Sequence, residues 1–321
     1  MKKKSLTMTD EHYIAGSVSS LAEFVKLITD LLKEDNARYN NSTLPIYRGH
    51  SNSDYELLPG LYRGGENAKW KITGQQGYWE REMLRDFKLL AQKQVKEQFV
   101  MPANDLEWLF IMQHYGMPTR LLDWTESYLV ALYFAVLDAY ENTDANAAVW
   151  MLDAWDFNQH FMKQRSIPSS SDERMVSKYV AHETTGDVVR DILGEPPVVL
   201  RANKATPRIA AQKGLFTIHG RNAGPLLQFI ETINNERKTS KEEGLLQRIF
   251  CKKIIILGSY KKEILKDLYC AGISHSVLFP EVEGICRELK YRYSTDFIVP
   301  SFTPEDDTPK MGSRAAAPRE S

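Results

Sequence analysis

The fold is decided by the stretch QHYGMPTRLLDWTE, residues 113–126, and by the apolar run that follows it. The helix before this stretch should end near Gly116 and Pro118, because Pro cannot continue a helix and Gly commonly terminates one. Residues 119–122 are then predicted to form a short strand, and residues 126–137 a helix without a polar face. A helix that is apolar all round lies inside a domain. The stretch therefore predicts a helix, a strand and a buried helix in succession.

The rest of the chain has helices early and short strands late. A first helix is predicted from Leu21 onward, and two late helices cover residues 260–270 and a segment with Val282, Ile285 and Leu289 on one face. Strands of a mixed central sheet are predicted at residues 45–48, 119–122, 148–152, 198–200, 215–218, 254–257 and 277–279. Because helices and strands do not alternate regularly, this order predicts an α+β fold with an N-terminal helical part.

Three segments differ in composition from this framework. Residues 1–18 carry no periodic pattern and are predicted to be a flexible arm, so the domain should span residues 19–299. Within it, residues 156–196 are polar and are interpreted as an insertion with some helix of its own. Residues 300–321 are rich in Pro, Ser, Asp and Ala without periodicity, which predicts a disordered tail.

Composition argues against several classes of protein. Lys and Arg number 41 against 42 Asp and Glu, so the chain lacks the basic excess of an obligate nucleic-acid binder. No apolar run approaches the ~20 residues of a membrane helix, and no apolar segment follows the basic N-terminus as in a signal peptide. Cys251, Cys270 and Cys286 are widely spaced, which predicts reduced thiols and neither a disulfide framework nor a zinc site. We expect a soluble, cytoplasmic protein with no metal.

Reactive side chains are concentrated around the turn in residues 113–126. The candidates in this stretch are His114, Thr119, Arg120, Asp123, Trp124, Thr125 and Glu126. Helix capping explains part of the pattern, because Asp123 and Glu126 have the spacing of a capping box before an apolar run. Capping does not account for His114 and Arg120 together. A functional site and a structural scaffold therefore both remain open for this stretch.

A second candidate segment is the Tyr-Arg-Gly-His at residues 47–50. A strand delivers Arg48, whose fork of donors matches phosphate or carboxylate geometry. Gly49 would let a ligand approach the backbone closely, and His50 lies at the edge of the strand. The alternative is an arginine that pairs with a structural acid beside a turn glycine.

Two weaker candidates lie later in the chain. Gln212 precedes a strand and would present its amide to a ligand. Glu281 and Glu283 lie at a helix start, where a favourable interaction with the helix dipole is the first explanation.

In order along the chain, these segments resemble the FRG domain family, named for its Phe/Tyr-Arg-Gly signature. The resemblance rests on Tyr-Arg-Gly at 47–49, Gln-His-Tyr-Gly-x-Pro-Thr-Arg-Leu-Leu-Asp-Trp-Thr at 113–125, Gln-x-Gly-Leu-Phe at 212–216 and Phe-Pro-x-x-x-Gly at 279–284. It covers roughly residues 40–290, and the long run is highly specific. These domains are largely without an assigned activity, so the resemblance implies a family before it implies a reaction.

A more distant resemblance is to ADP-ribosyltransferases of the Arg-Ser-Glu class. In that class a first strand reads Tyr-Arg-Gly, and its Arg holds the phosphates of the dinucleotide. A second strand ends in a hydroxyl-bearing turn before a helix with an Ala-x-x-Phe-Ala face. Arg48 matches the first element, and Thr125 with residues 131–135 is similar to the second. The third element, a Glu on a later strand, has no clean match, because Gln212 carries no charge and the Glu-x-Glu at 281–283 follows a strand.

The resemblance implies an enzyme that uses NAD as its substrate, by ADP-ribosyl transfer or NAD cleavage, as a bacterial toxin or phage-defence effector would. Arg48 would bind the pyrophosphate, while His114 and Thr125 would hold the ribose or nicotinamide side. Asp123 or Glu126 would supply the negative charge at the anomeric carbon. The acceptor is a protein or a nucleic acid, and no membrane partner is expected.

The alternative is a non-catalytic module on the same scaffold. It would bind a nucleotide or a phosphorylated ligand through Arg48 and Arg120. Both interpretations require that Arg48, His114, Arg120, Asp123 and Gln212 converge on one cleft.

Overall fold

The computed structural model describes residues 10–38, 42–63, 76–141, 144–180, 196–202, 206–220, 224–239 and 250–294. In these ranges the strands are β1 (Ile14–Val18), β2 (Pro45–His50), β3 (Leu121–Thr125), β4 (Ala147–Asp153), β5 (Val198–Leu200), β6 (Gly214–Ile218) and β7 (Cys251–Ile256). The helices are α1 (Leu21–Arg38), α2 (Gln76–Gln98), α3 (Asp105–His114), α4 (Tyr128–Val136), α5 (Ala154–Met162), α6 (Glu173–Tyr179), α7 (Pro207–Ala211), α8 (Leu226–Thr239), α9 (Lys261–Cys270), α10 (His275–Leu278) and α11 (Val282–Ser294).

The strands form one seven-stranded sheet in the order β1-β7-β4-β2-β3-β6-β5. β1 and β7 are parallel, and all the other neighbours are antiparallel. This confirms the α+β fold with a mixed sheet. None of the described helices is long and apolar enough to cross a membrane.

Helices cover both faces of the sheet. On one face, α1, α4 and α9 pack over β2, β4 and β7, and α2, α3 and α6 pack over β3, β5 and β6. On the opposite face, α5 and α8 cover a second core that includes Trp124 and Trp150. Successive residues of a strand point to opposite faces, so Tyr47 and Gly49 face α4 whereas Arg48 and His50 face the other way.

The apolar helix α4 lies against the sheet as predicted, with most of its side chains buried. Its close approach depends on Gly49. A Cβ at this position would lie 2.0 Å from the Ala131 carbonyl oxygen and 2.6 Å from the Ala135 amide nitrogen. The glycine of the Tyr-Arg-Gly signature therefore accommodates a helix, and not a ligand as the sequence had indicated.

Three expectations about secondary structure are corrected. Residues 10–18 are not a loose arm, because β1 lies in the sheet beside β7, while residues 1–9 are outside the described ranges. The strand predicted at 119–122 begins at Leu121, because the Thr119 carbonyl accepts instead from the Leu61 amide, 3.1 Å away.

The strand predicted at 277–279 is replaced by α10. Its helical turn brings the rings of His275 and Phe279, four residues apart, into a stack with centroids 4.3 Å apart. This contact outweighs the strand propensity of the segment.

The polar segment 156–196 is in part integral to the domain. Phe157 of α5 and Tyr179 of α6 are buried in the core, and Asp156 forms a buried ion pair with Arg237 at 2.8 Å. An insertion would leave the core intact without it, so that description is wrong for residues 156–180. Residues 181–195 and the predicted tail at 300–321 lie outside the described ranges.

The sheet is weakest between β2 and β3. β2 pairs with β4 through six residues, but with β3 only through Tyr47 and Thr125. From this pair toward His50 on β2 and Leu121 on β3, the two strands are not paired.

Candidate functional site

Arg48 lies in the gap between β2 and β3. Its Nε donates to Nε2 of His50 at 3.0 Å, and its Nη1 donates to the backbone carbonyl of Asp123 at 2.6 Å. Burial lowers the pKa of Arg48 to about 10, and the Asp123 charge opposes the shift, so the guanidinium stays charged at neutral pH. Its Nη2 group has no hydrogen-bond partner in the described part of the chain, and 14% of the side chain is exposed.

His50 orients this arginine. Its Nδ1 lies 3.1 Å from the Tyr55 carbonyl oxygen, which can only accept, so Nδ1 carries the proton and Nε2 accepts from Arg48. Burial and the neighbouring Arg48 lower the pKa of His50 to about 2. A neutral, buried imidazole of this kind positions Arg48.

Asp123 presents its carboxylate to solvent from β3, and 61% of the side chain is exposed. Gln113 Nε2 donates to Asp123 Oδ1 at 2.6 Å. The hydroxyl of Thr119 donates to Oε1 of the same Gln113 amide, which fixes the amide orientation, and in turn accepts from the Leu121 amide at 3.2 Å. The exposed carboxylate is therefore held in a defined position from one side by Gln113 and from the other by Arg48.

Two further arginines act on Asp123. Burial lowers the pKa of both Arg63 and Arg208, and Asp123 is the strongest charge opposing each shift. Arg63 donates through Nε to the Leu58 carbonyl at 2.9 Å, and Arg208 donates through Nη1 to the His114 carbonyl at 3.3 Å. The charges of three anchored arginines thus act on one exposed carboxylate, and we name Arg48, Arg63, Arg208 and Asp123 the arginine cluster.

Phe279 explains how Arg208 is held. The guanidinium carbon of Arg208 lies over the Phe279 ring, 4.3 Å from its centroid. The Phe279 backbone packs against Gly284, where an added Cβ would come within 1.9 Å of the Phe279 carbonyl oxygen. The Phe-Pro-x-x-x-Gly motif therefore supports Arg208. This role of the motif does not require the carboxylates of Glu281 and Glu283 at the helix start.

His114 and Glu281 lie at the edge of the cluster. His114 Nε2 is 3.9 Å from Glu281 Oε1. Burial and Arg208 lower the pKa of His114, and Glu281 opposes them. Arg208 therefore interacts with His114 twice, by a hydrogen bond to its backbone carbonyl and by the effect of its charge on the ring.

Gln212 and Thr125 are engaged in backbone contacts. Gln212 Nε2 donates to the Leu278 carbonyl at 3.0 Å, and the Gln212 carbonyl accepts from the Thr125 hydroxyl at 2.6 Å. The same hydroxyl accepts from the Ser127 amide at 3.0 Å. These contacts connect the end of β3 with α7 and α10, so Gln212 and Thr125 support the site.

Three predicted residues make structural contacts away from the arginine cluster. Arg120 is buried and pairs with Glu80, with Nε and Oε2 2.6 Å apart. Trp124 is buried and donates from Nε1 to the Thr217 hydroxyl at 3.2 Å. Glu126 pairs with Arg201. The expected convergence therefore includes Arg48, His114 and Asp123 with support from Gln212, but not the Arg120 guanidinium.

The capping alternative for Asp123 and Glu126 is also corrected. Asp123 lies within β3, and α4 is capped by Ser127, whose hydroxyl accepts from the Val130 amide at 3.4 Å. Asp123 is therefore free of a capping role.

Sequence reasoning missed two residues of the cluster. Arg208 lies four residues before the Gln-x-Gly-Leu-Phe segment that begins at Gln212, and this proximity to a motif is a sequence signal for it. Arg63 has no comparable sequence signal. Among the described residues, no group of three or more His, Cys, Asp or Glu side chains is arranged to hold a metal ion.

Comparison with protein families matches residues 44–144 to the FRG domain. The chain therefore contains an FRG domain, and the matched range includes Arg48, His50, Arg63, Gln113 and Asp123. No curated protein and no solved structure matches the chain.

Proposed function

We propose that this FRG-domain protein uses NAD as a substrate, by binding its pyrophosphate on the arginine cluster and cleaving or transferring ADP-ribose beside Asp123. The observation that supports this most is the exposed Asp123 carboxylate, which is held by Gln113 and Arg48 and interacts with the charges of Arg63 and Arg208. The role of a charge-stabilising Glu on a later strand falls to Asp123 on β3.

The binding step follows from how the arginines are anchored. Arg48, Arg63 and Arg208 each use one or two donors on protein acceptors and keep others for a ligand. Arginine forks bind phosphate oxygens in pairs of hydrogen bonds, and anchored side chains lose little conformational entropy on binding. Three positive charges against one negative charge suit a pyrophosphate, which carries two negative charges.

The chemical step concerns the bond between C1′ of the ribose and the ring nitrogen of nicotinamide. When it breaks, its electron pair leaves with nicotinamide and positive charge develops on the ribose. A preorganised group beside that carbon would stabilise the charge, an effect of ~10²–10³ in rate at comparable sites. Water, or a nucleophilic group of a protein or nucleic acid, then bonds to C1′ and gives up a proton.

The alternative is a nucleotide- or phosphate-binding module without catalysis. Arg48, Arg63 and Arg208 would serve that function equally well. Asp123 would not, because a carboxylate in an anion site repels the ligand. The fixed orientation of Asp123 by Gln113 therefore favours catalysis over simple binding.

Nicotinamide release from NAD tests the proposal. We expect Asp123→Asn to lower turnover by ~10²–10³ without weakening NAD affinity. Arg208→Gln should weaken affinity, because the guanidinium meets phosphate in the ground and transition states alike. The control Glu173→Gln, at an exposed position on α6, should change neither. NAD binding without release, with protein and nucleic acid acceptors both present, would leave only the binding module, and absence of binding would reject both functions.

An enzyme of this kind would act as a bacterial toxin or phage-defence effector by consuming cytoplasmic NAD or by modifying a protein or nucleic acid. Expression in bacteria should then arrest growth, and Asp123→Asn should restore it. Growth arrest that persists with Asp123→Asn would separate toxicity from this chemistry.

A further inference from the structure

Helix α11 carries an apolar stripe on its outer face. Val282, Ile285, Leu289 and Tyr293 recur at helical spacing, and their exposed fractions are 76%, 47%, 42% and 80%. We name these four residues the α11 stripe. The sequence pattern places such a stripe against a core, so its exposure is the opposite of what an amphipathic helix normally shows.

The contacts that attach α11 to the domain explain this orientation. Gly284 lies against the Phe279 backbone. Glu288 accepts from the Ser274 hydroxyl at 2.8 Å and from the Ser276 amide at 2.7 Å. Gly284 and Glu288 are four residues apart and define the inner face, so the α11 stripe points outward.

We propose that the α11 stripe is the interface between two copies of this chain, with their α11 helices packed antiparallel about a two-fold axis. The charges beside the stripe favour this occupant. One flank of the stripe has Glu283 toward the N-terminal end of α11 and Lys290 toward its C-terminal end.

An antiparallel pair places Glu283 of one copy opposite Lys290 of the other, so this flank is complementary to itself. A parallel pair would leave Glu283 and Lys290 at opposite ends of the interface. A strongly acidic or basic partner would be repelled by half of the charges.

The length of α11 sets the strength of the interface. A helix of 13 residues is about 20 Å long. Two such helices bury an area at the lower end of specific interfaces, so the dimer should be weak, with a dissociation constant of the order of micromolar.

Cys286 reports on the geometry. It is exposed, it adjoins the α11 stripe next to Ile285, and it lies near the middle of the charged segment. A two-fold axis through the middle of an antiparallel pair brings the two Cys286 thiols close to each other. Cys270, at the end of α9, is also exposed but lies off the stripe, which makes it the matched control.

Sedimentation velocity from micromolar to near-millimolar concentration tests the dimer without any nucleotide. We expect the wild-type chain to pass from monomer to dimer, and the double variant Ile285→Glu, Leu289→Glu to remain monomeric. Its melting temperature should not fall, because both side chains are exposed. A wild-type chain that stays monomeric, or a double variant that still dimerises, would overturn the proposal.

Two further measurements test the antiparallel arrangement. Glu283→Lys should weaken the dimer at least several-fold, and adding Lys290→Glu should restore it. Mild oxidation of the dimer should link the chains through Cys286, and Cys286→Ser but not Cys270→Ser should abolish the link. Linkage through Cys270 alone, or no rescue by the second charge reversal, would contradict this geometry.

Discussion

The Arg48 guanidinium donates to the backbone carbonyl of Asp123 across the gap where β2 and β3 stop pairing, with Nη1 and the oxygen 2.6 Å apart. In a continuous ladder a backbone amide of the neighbouring strand satisfies such a carbonyl. Here a charged side chain takes its place and keeps its Nη2 donors for a ligand. Arg48 therefore has a structural role in the sheet as well as a proposed role in binding.

Because Arg48 has a structural role, replacing it should lower the free energy of unfolding. Arg48→Met would leave the Asp123 carbonyl and the buried His50 Nε2 without their donor. An unsatisfied buried group costs ~1–3 kcal/mol, so we expect the free energy of unfolding in urea to fall by about 2–4 kcal/mol. Arg174→Met is the control, because Arg174 is exposed on α6 in a surface ion pair with Asp172 and should change stability by less than ~1 kcal/mol. Equal stability of the two variants would show that the gap does not need the Arg48 bridge.

The two signature glycines predict a second effect. A Cβ at Gly49 or Gly284 would lie 2.0 Å or 1.9 Å from a backbone oxygen of a neighbouring element, whereas a Cβ at Gly60 meets only Pro118 at 3.7 Å. Because backbone cannot move aside as a side chain does, Gly49→Ala and Gly284→Ala should each cost ~3 kcal/mol or more. Gly60→Ala should stay within ~0.5 kcal/mol of the wild type. Thermal unfolding of the three variants measures the difference, and a Gly49→Ala variant as stable as Gly60→Ala would contradict it.

Local sequence patterns predicted the elements that can be recognised without knowing which other elements they pack against. The apolar run of α4 and the β-rich run of β4 specify burial without knowledge of the partner. β1 was missed because it is short, contains Gly16, and pairs with β7 more than two hundred residues later. The segment at 277–279 was assigned from strand propensity, which the stacking of His275 on Phe279 overrides.

The residues of the candidate site were likewise predicted where a local motif contains them and missed where none does. Arg48 and Asp123 were predicted because both lie in motifs that resemble a known family. Arg63 and Arg208 were missed because the backbone carbonyls of Leu58 and His114 anchor them, and a backbone carbonyl leaves no signal in the sequence. Arg120 was predicted as a ligand contact from its motif, although its partner is Glu80, forty positions earlier.

The Arg120–Glu80 pair is buried and the Arg201–Glu126 pair is not, and this difference predicts that Arg120 has a structural role. Arg120 and Glu80 are buried, so Glu80→Gln, which removes one partner's charge, should destabilise the fold by ~3–5 kcal/mol. Arg201 and Glu126 are partly exposed, and Glu126→Gln should cost less than ~1 kcal/mol. Urea unfolding compares the two. If Glu80→Gln were as mild as Glu126→Gln, the buried pair would not be holding Arg120 away from a ligand.

Three buried histidines make the fold sensitive to acid. Burial and the charges of nearby arginines together lower the pKa of His50 to about 2, of His219 to about 3 and of His275 to about 4. In the unfolded chain each imidazole has a pKa near 6.5. Below that pH the unfolded state therefore binds more protons than the folded state.

Unfolding should therefore become easier as pH falls from about 6.5, and the stability lost should return above it. Each histidine contributes up to ~1.4 kcal/mol per pH unit, or about 2 kcal/mol by pH 5. The three together would remove much of the ~5–15 kcal/mol stability of a typical domain. Urea unfolding at pH 7, 6 and 5 measures the slope, and His219→Leu should reduce it by one histidine's share whatever that variant does to stability at pH 7. The slope is the informative quantity because His219 is fully buried, so its replacement also alters packing and its contact with the Thr217 hydroxyl. A slope that His219→Leu leaves unchanged would mean that this imidazole is already charged in the folded protein.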